Sequence, residues 1–322
     1  MKKLFLLLPC SVFFFASCDK EELPVLPHGT GADLTATVDM NADYRYQIYF
    51  DLATNTVVGQ VPKTIWDLGF ETGANENRII VNSAKAMYAF NTGDTAFVSL
   101  TDTSGFAAGK MWDAVSGHHD STAIGNWTVA HNTYILDRGY SETGQHQGFR
   151  KVRFENVSAS EFTVRFANMN GSGEVVMTVP KDSTYNFTFL SFANGGQLVT
   201  VEPPKRDWDL VFTQYIHIFY NPTEPYLVTG CLLNRYNTSA VMDSTVDYAD
   251  ITFSSVSNFT LTHAINAIGY DWKAWNGTSY ITFPEMNYVI LDQHGYYYKL
   301  HFIDFYNQSG VKGNPKWEYQ RL

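Results

Sequence analysis

Hydrophobic and polar residues alternate along most of this chain in short runs, the period of strands with one buried face. Phe162-Thr163-Val164-Arg165-Phe166 is one such run, and Tyr185-Asn186-Phe187-Thr188-Phe189 and Tyr280-Ile281-Thr282-Phe283 are others. Turn clusters such as Asn170-Gly171-Ser172-Gly173 and Asn194-Gly195-Gly196 separate them. Helical periods rich in Ala, Leu, Glu and Lys are scarce. The pattern predicts an all-β, antiparallel architecture with meander connections and a few short helices, one of them near Val246–Ile251.

The pattern also repeats. Tyr46-Gln47-Ile48-Tyr49-Phe50 leads through Val57-Val58 and Pro62-Lys63 to Trp66-Asp67-Leu68-Gly69-Phe70. Later, Tyr185 to Phe189 leads through Leu198-Val199 and Pro204-Lys205 to Trp208-Asp209-Leu210-Val211-Phe212. One offset relates both lysines, both tryptophans and both aspartates. This predicts an internal repeat of a Trp-Asp-Leu strand unit. Each Trp is expected to fill a core socket and each Asp to cap a neighbouring backbone amide. Residues 101–147 break the pattern, with many Gly and with His118, His119, His131 and His146. They are expected to form an extended loop or hairpin insertion.

The first residues differ again. Lys2 and Lys3 precede the apolar run Leu4 to Phe15, which is shorter than the roughly 20 residues of a spanning helix. Ala16-Ser17-Cys18 comes next. The run resembles a lipoprotein signal peptide over residues 1–17, with Cys18 as the lipidated first residue of the mature chain. An ordinary secretory signal is the alternative. Asp19-Lys20-Glu21-Glu22 resembles the surface-export signal of Bacteroidetes lipoproteins, and Pro24, Pro27, Gly29 and Gly31 mark residues 18–33 as a flexible tether. Beyond it, residues 34–150 read as an N-terminal β region carrying the Gly/His-rich insertion, and 151–322 as a second β domain. A single unit over 34–322 is the alternative.

Charge and cysteine content narrow the partners. The formal net charge of −10 becomes more negative once Lys2 and Lys3 are removed, which argues against nucleic acid. With Cys10 removed and Cys18 lipidated, Cys231 alone remains, so no disulfide framework, Cys-based zinc site or Cys-x-x-Cys-His attachment can form. No Gly-x-Ser-x-Gly, His-Glu-x-x-His or phosphate loop occurs, and the acids are scattered, so the chain reads as a binding protein and not an enzyme.

Histidine is the main chemical resource. His118-His119-Asp120 could hold a metal, but a solvated loop is the better reading, and no metal site is assigned. His217 lies in the nearly all-apolar strand Trp208 to Tyr220, on one face with Tyr215 and Phe219. That setting suits an axial haem ligand and equally a core histidine. Met242 is a possible sulfur ligand, though Met more often fills core gaps.

The C-terminal run Tyr296 to Gly313, followed by Pro315-Lys316-Trp317-Glu318-Tyr319, resembles the closing β-hairpin of the HmuY family of haem-binding lipoproteins. The strand Trp208-Asp209-Leu210-Val211-Phe212 is similar to that family's Trp-Asp strand. The resemblance spans roughly residues 150–322. It implies an HmuY-like fold, lipid attachment at the outer-membrane surface, and capture of haem for a TonB-dependent receptor. It also implies iron held by two axial side chains, His with His or with Met. His217 is then the first ligand candidate, with Met242 or His263 as the second. The alternative is a non-enzymatic surface β-sandwich that binds glycan or another protein, with Trp112, Trp127, Trp272 and Trp275 as stacking platforms.

Overall fold

The structure, a computed structural model, describes residues 29–322. The signal segment and Cys18 lie outside the described residues. Strands in the first half are β1 (Leu34–Thr37), β2 (Tyr46–Asp51), β3 (Thr56–Pro62), β4 (Leu68–Glu71), β5 (Ile79–Val81), β6 (Tyr88–Asn91), β7 (Thr133–Asp137), β8 (Phe149–Val157) and β9 (Glu161–Ala167). The second half gives β10 (Val175–Pro180), β11 (Phe187–Ser191), β12 (Gln197–Val199), β13 (Leu210–Phe219), β14 (Glu224–Leu233) and β15 (Ser239–Asp243). It continues with β16 (Lys273–Trp275), β17 (Tyr280–Thr282), β18 (Asn287–Leu291), β19 (Tyr297–Tyr306) and β20 (Lys312–Arg321). Helix is limited to the turn Phe106–Gly109 and short 3-10 turns, one at Tyr248–Asp250 where the sequence predicts it.

All strand pairings are antiparallel. One five-stranded sheet runs β6-β7-β8-β9-β10, and a second runs β15-β18-β19-β20-β1. Two four-stranded sheets mix the halves: β5-β4-β11-β12 and β3-β2-β13-β14. In the first, Leu68 of β4 faces Leu190 of β11; in the second, Phe50 of β2 faces Leu210 of β13. A separate hairpin pairs β16 with β17.

Alternation decides which residues enter the core. Phe162, Val164 and Phe166 of β9 point inward and meet Phe70, Leu68 and Trp127 in one cluster. Tyr298, Leu300 and Phe302 of β19 do the same in the other half, where Phe212 stacks on Trp317 at 4.7 Å. Burying each such aromatic removes about 150–250 Å² from water, the main source of stability here. The inner strands of the four-stranded sheets are covered on both faces, so β2 and β4 are buried along most of their length, while the edge strands β3 and β12 stay largely exposed. Between them, Trp66 meets Phe189 edge-on at 4.8 Å, and Trp208 meets Tyr49 edge-on at 4.9 Å.

The two Trp-Asp-Leu strands make matching contacts. Asp67 N donates to Leu190 O at 2.8 Å and its Oδ2 accepts from Phe192 N at 2.7 Å. Asp209 N donates to Phe50 O at 2.9 Å and its Oδ2 accepts from Leu52 N at 2.9 Å. Asn82 spans the backbone of Lys63 and Trp66, as Asn234 spans that of Lys205 and Trp208. These are the expected amide caps and filled Trp sockets.

One expectation needs correcting. The span 101–147 is not loop throughout, because Thr133–Asp137 forms β7, between β6 and β8 in its sheet. The flanking glycines obscure a run, Thr133-Tyr134-Ile135-Leu136, that is buried along its length.

Candidate functional site

The Gly/His-rich segment enters the space beside the four-stranded sheets and shapes two openings there. Asp113 anchors it by accepting from Val81 N at 2.9 Å and Ala123 N at 2.8 Å. Burial pushes that carboxyl up to about 6 against those two hydrogen bonds. Ser116 O accepts from Ile265 N at 3.0 Å, which ties the segment to the second half. Gly117 has φ +70°, and a Cβ there would lie 2.6 Å from an Arg235 nitrogen, so a side chain is excluded twice over.

The first opening is a cleft of about 460 Å³ between the ends of β4 and β14, within the size range of small-ligand sites. Cations, imidazoles and the two carboxylates of Glu71 and Glu76 line it. Arg78 is held by Glu71 at 2.7 and 3.0 Å and also reaches the His119 ring. Arg78 and Arg235 both donate to Gly117 O, at 3.1 and 2.8 Å. Burial lowers the Arg235 guanidinium to about 10; Arg78 adds to the fall, and Asp113, Glu71 and Glu202 oppose it. Lys205 stands over the Tyr236 ring at 4.8 Å. His263 is exposed at the cleft wall, and its Nδ1 lies 3.1 Å from Thr238 O. A carbonyl only accepts, so Nδ1 carries a proton, and in the neutral tautomer Nε2 is the nitrogen with the lone pair.

The second opening is a groove of about 510 Å³ on the other side of the inserted segment. His217, half-buried on β13, lines it with Met111, Trp112 and Tyr220. Its ring meets Phe219 at 4.8 Å and Tyr270 at 4.9 Å, both edge-on. Asp120 is the charged residue of that lining, and no Lys or Arg stands there.

The three sequence-derived ligand candidates are therefore apart. His263 lines the cleft and His217 the groove, while Met242 is 42% exposed on the edge strand β15 and lines neither. Glu71, Glu76 and His119 present ligand atoms within 4.8 Å of one another, but Arg78 already neutralises Glu71 and engages His119. Two expected stacking platforms are core instead. Trp127 is buried against Phe154 and donates to Asn77 O at 2.8 Å; Trp272 is fully buried and stacks on Phe302 at 4.0 Å. Their loop-like surroundings hid this. Arg78 and Arg235 carried no sequence signal, because only the docking of the halves brings them together.

A family model described as HmuY protein matches residues 43–319, most of the chain. The crystal structure of apo PinO from Porphyromonas gingivitis is similar at 10% identity over 90% of this chain and 97% of that one, with a TM-score of 0.34. The crystal structure of the apo HmuY analog from Tannerella forsythia is similar at 9% identity over 90% and 96%, with a TM-score of 0.34. No curated protein matches the chain.

Proposed function

We propose a function from one premise: this chain belongs to the HmuY family. It is a binding protein that captures haem and passes it to a TonB-dependent outer-membrane receptor, held at the cell surface by lipid on Cys18. The observation that carries this reading is the cleft where His263 offers Nε2 beside Arg78, Lys205 and Arg235. An axial ligand to haem iron must be an unprotonated ring nitrogen, and with Nδ1–H turned to the Thr238 carbonyl the neutral ring offers that nitrogen at Nε2. Haem also carries two propionates. They need cationic partners, which the cleft supplies through Lys205 and Arg235, Arg78 being paired with Glu71.

The groove at His217 is the second reading, favoured by the aromatic rings around that imidazole. Its lining offers no cation to a propionate, which ranks it below the cleft. Among the described residues no helix is long and apolar enough to cross a membrane.

Haemin titration tests the proposal. A Soret band that shifts and saturates at one haemin per chain is expected, and His263→Ala should weaken it at least tenfold in Kd. A spectrum unchanged from free haemin overturns haem capture and favours the glycan- or protein-binding alternative. A band kept in His263→Ala but lost in His217→Ala moves the site to the groove.

A further inference from the structure

The matched aspartates of the two halves stand in opposite surroundings. Asp67 Oδ1 holds Lys85 Nζ at 2.5 Å and Arg138 Nε at 3.1 Å, and all three side chains are buried. Asp209 Oδ1 is buried with no hydrogen-bond partner among the described residues. Among the described residues the second half lacks both cations, and at one of the two positions the exchange can be followed. Arg138 directly follows β7 and its N–H donates to Gly148 O at 3.0 Å. Asp292 directly follows β18 and its N–H donates to Tyr296 O at 2.9 Å, the same place in the second half. A carboxylate thus stands where the first half has a guanidinium.

Asp292 is itself 2% exposed. Its Oδ1 accepts from His294 N and Tyr296 N, both at 2.8 Å, and its Oδ2 is buried without a partner among the described residues. Gln293, beside it, donates Nε2 to Trp208 O at 3.2 Å, and its Oε1 is also left buried and unpartnered. Asp209 Oδ1, Asp292 Oδ2 and Gln293 Oε1 therefore lie around the Trp208-Asp209 backbone without a partner in good hydrogen-bond geometry, and the Tyr298 hydroxyl is the donor that faces Asp292. Asp51, half-buried at the end of β2, faces Asp209 within hydrogen-bonding reach, and both its charge and that contact push the Asp209 carboxyl further up. The charged or titratable neighbours are His294, Tyr298 and Arg321. Among the described residues no ion pair joins His294 or Arg321 to Asp209 or Asp292, and the Arg321 guanidinium lies over the Tyr296 ring at 5.2 Å.

We propose that a hard divalent cation of the calcium type binds between Asp209 and Asp292, in the place that Lys85 and Arg138 fill in the other half. Two buried carboxylates cannot both stay ionised without a counter-charge. A proton shared by Asp51 and Asp209 would relieve that pair but leave Asp292 Oδ2 to the Tyr298 hydroxyl and Gln293 Oε1 unmet. A cation that takes about six to eight oxygen ligands engages all three oxygens, with backbone carbonyls and water completing the shell. The set is all oxygen, which selects calcium-type ions over zinc or copper.

Equilibrium dialysis of the chelator-treated, purified chain against radioactive calcium tests this. One ion per chain is expected, with a rise in melting temperature of about 5 °C at roughly 100 times Kd. Asp292→Asn should lose the ion. Asp292→Arg restores the Arg138 guanidinium of the first half and should melt, without calcium, higher than the unloaded wild type. Glu76→Gln, in the separate cluster near His119, should still bind one ion. Absence of binding, or an ion retained in Asp292→Asn or lost in Glu76→Gln, overturns the proposal. So does a wild type whose melting falls from pH 5 to 8 equally with and without calcium, which marks a shared proton. If Asp292→Arg fails to fold, dialysis of Asp292→Asn decides.

Discussion

The same substitution at two matched positions should act with opposite sign. Asp67→Asn removes the carboxylate that balances Lys85 and Arg138 and leaves two cations buried together. Breaking a buried pair in this way costs about 3–5 kcal/mol. At about 2 °C per kcal/mol for a chain of this size, that is a fall of roughly 6–10 °C in melting temperature. Asp209→Asn keeps an oxygen for Leu52 N and removes a burdened acid. Burial, with Asp292 and Asp51 nearby, pushes the Asp209 carboxyl up to about 8. Its ordinary value in the unfolded chain is about 3.9. Between those values the unfolded state has released a proton that the folded state keeps. Stability without metal therefore falls as pH rises from about 4 to 8, by at most about 4 kcal/mol at pH 7. Asn at this position does not ionise, so in chelator Asp209→Asn should melt higher than wild type at pH 7. The gap should widen towards pH 8 and vanish near pH 4. Calorimetry or circular dichroism on both variants, at several pH values in chelator, supplies the comparison. Equal losses at the two positions, or a gap independent of pH, would refute the reasoning.

Lys273, Gly139 and Lys205 give three further tests. Lys273 is buried against the Trp272 ring at 4.4 Å, and burial lowers its amine to about 7, so wild-type stability should rise with pH from about 7 to 10. Lys273→Met should raise the melting temperature at pH 7 and remove that rise; urea titrations at pH 7 and 9.5 check it. Gly139 has φ +66° and no room for a Cβ against the Lys85 carbonyl, so Gly139→Ala should cost more than about 2 kcal/mol in urea unfolding. If propionates meet Lys205, haemin affinity should weaken as salt rises, and Lys205→Ala should weaken it at low salt and flatten the salt dependence.

The sequence is most readable where one residue answers to one local demand. Alternating Phe162, Val164 and Phe166 could face a core only as a strand, and Trp66-Asp67 and Trp208-Asp209 announced a socket and a cap because both roles are met by backbone a short way off in space. The closing hairpin, β19 with β20, was legible for the same reason. Tryptophans in Gly-rich context misled: Trp127 and Trp272 sit in irregular segments that the sheets bury, and burial of a loop leaves no period in the sequence. The candidate cleft was hidden more deeply. Its arginines, Arg78 and Arg235, lie in different halves and meet over one carbonyl of a third segment, a convergence that no local pattern records.

The repeat itself suggests how the site arose from the fold. Where the halves agree, as at the two Trp-Asp pairs and their asparagines, the residues build the mixed sheets and have little freedom to change. Where they differ, chemistry enters. The long segment between β6 and β7 exists in the first half only in the form that carries Asp113, Gly117 and the paired histidines, and it divides the space beside the sheets into cleft and groove. The exchange of Arg138 for Asp292 replaces an internal cation with a demand for an external one. A symmetric pair of halves would satisfy all its charges internally and leave nothing to bind. It is the departures from symmetry, set on a frame that the matched residues keep rigid, that give this chain its candidate binding chemistry.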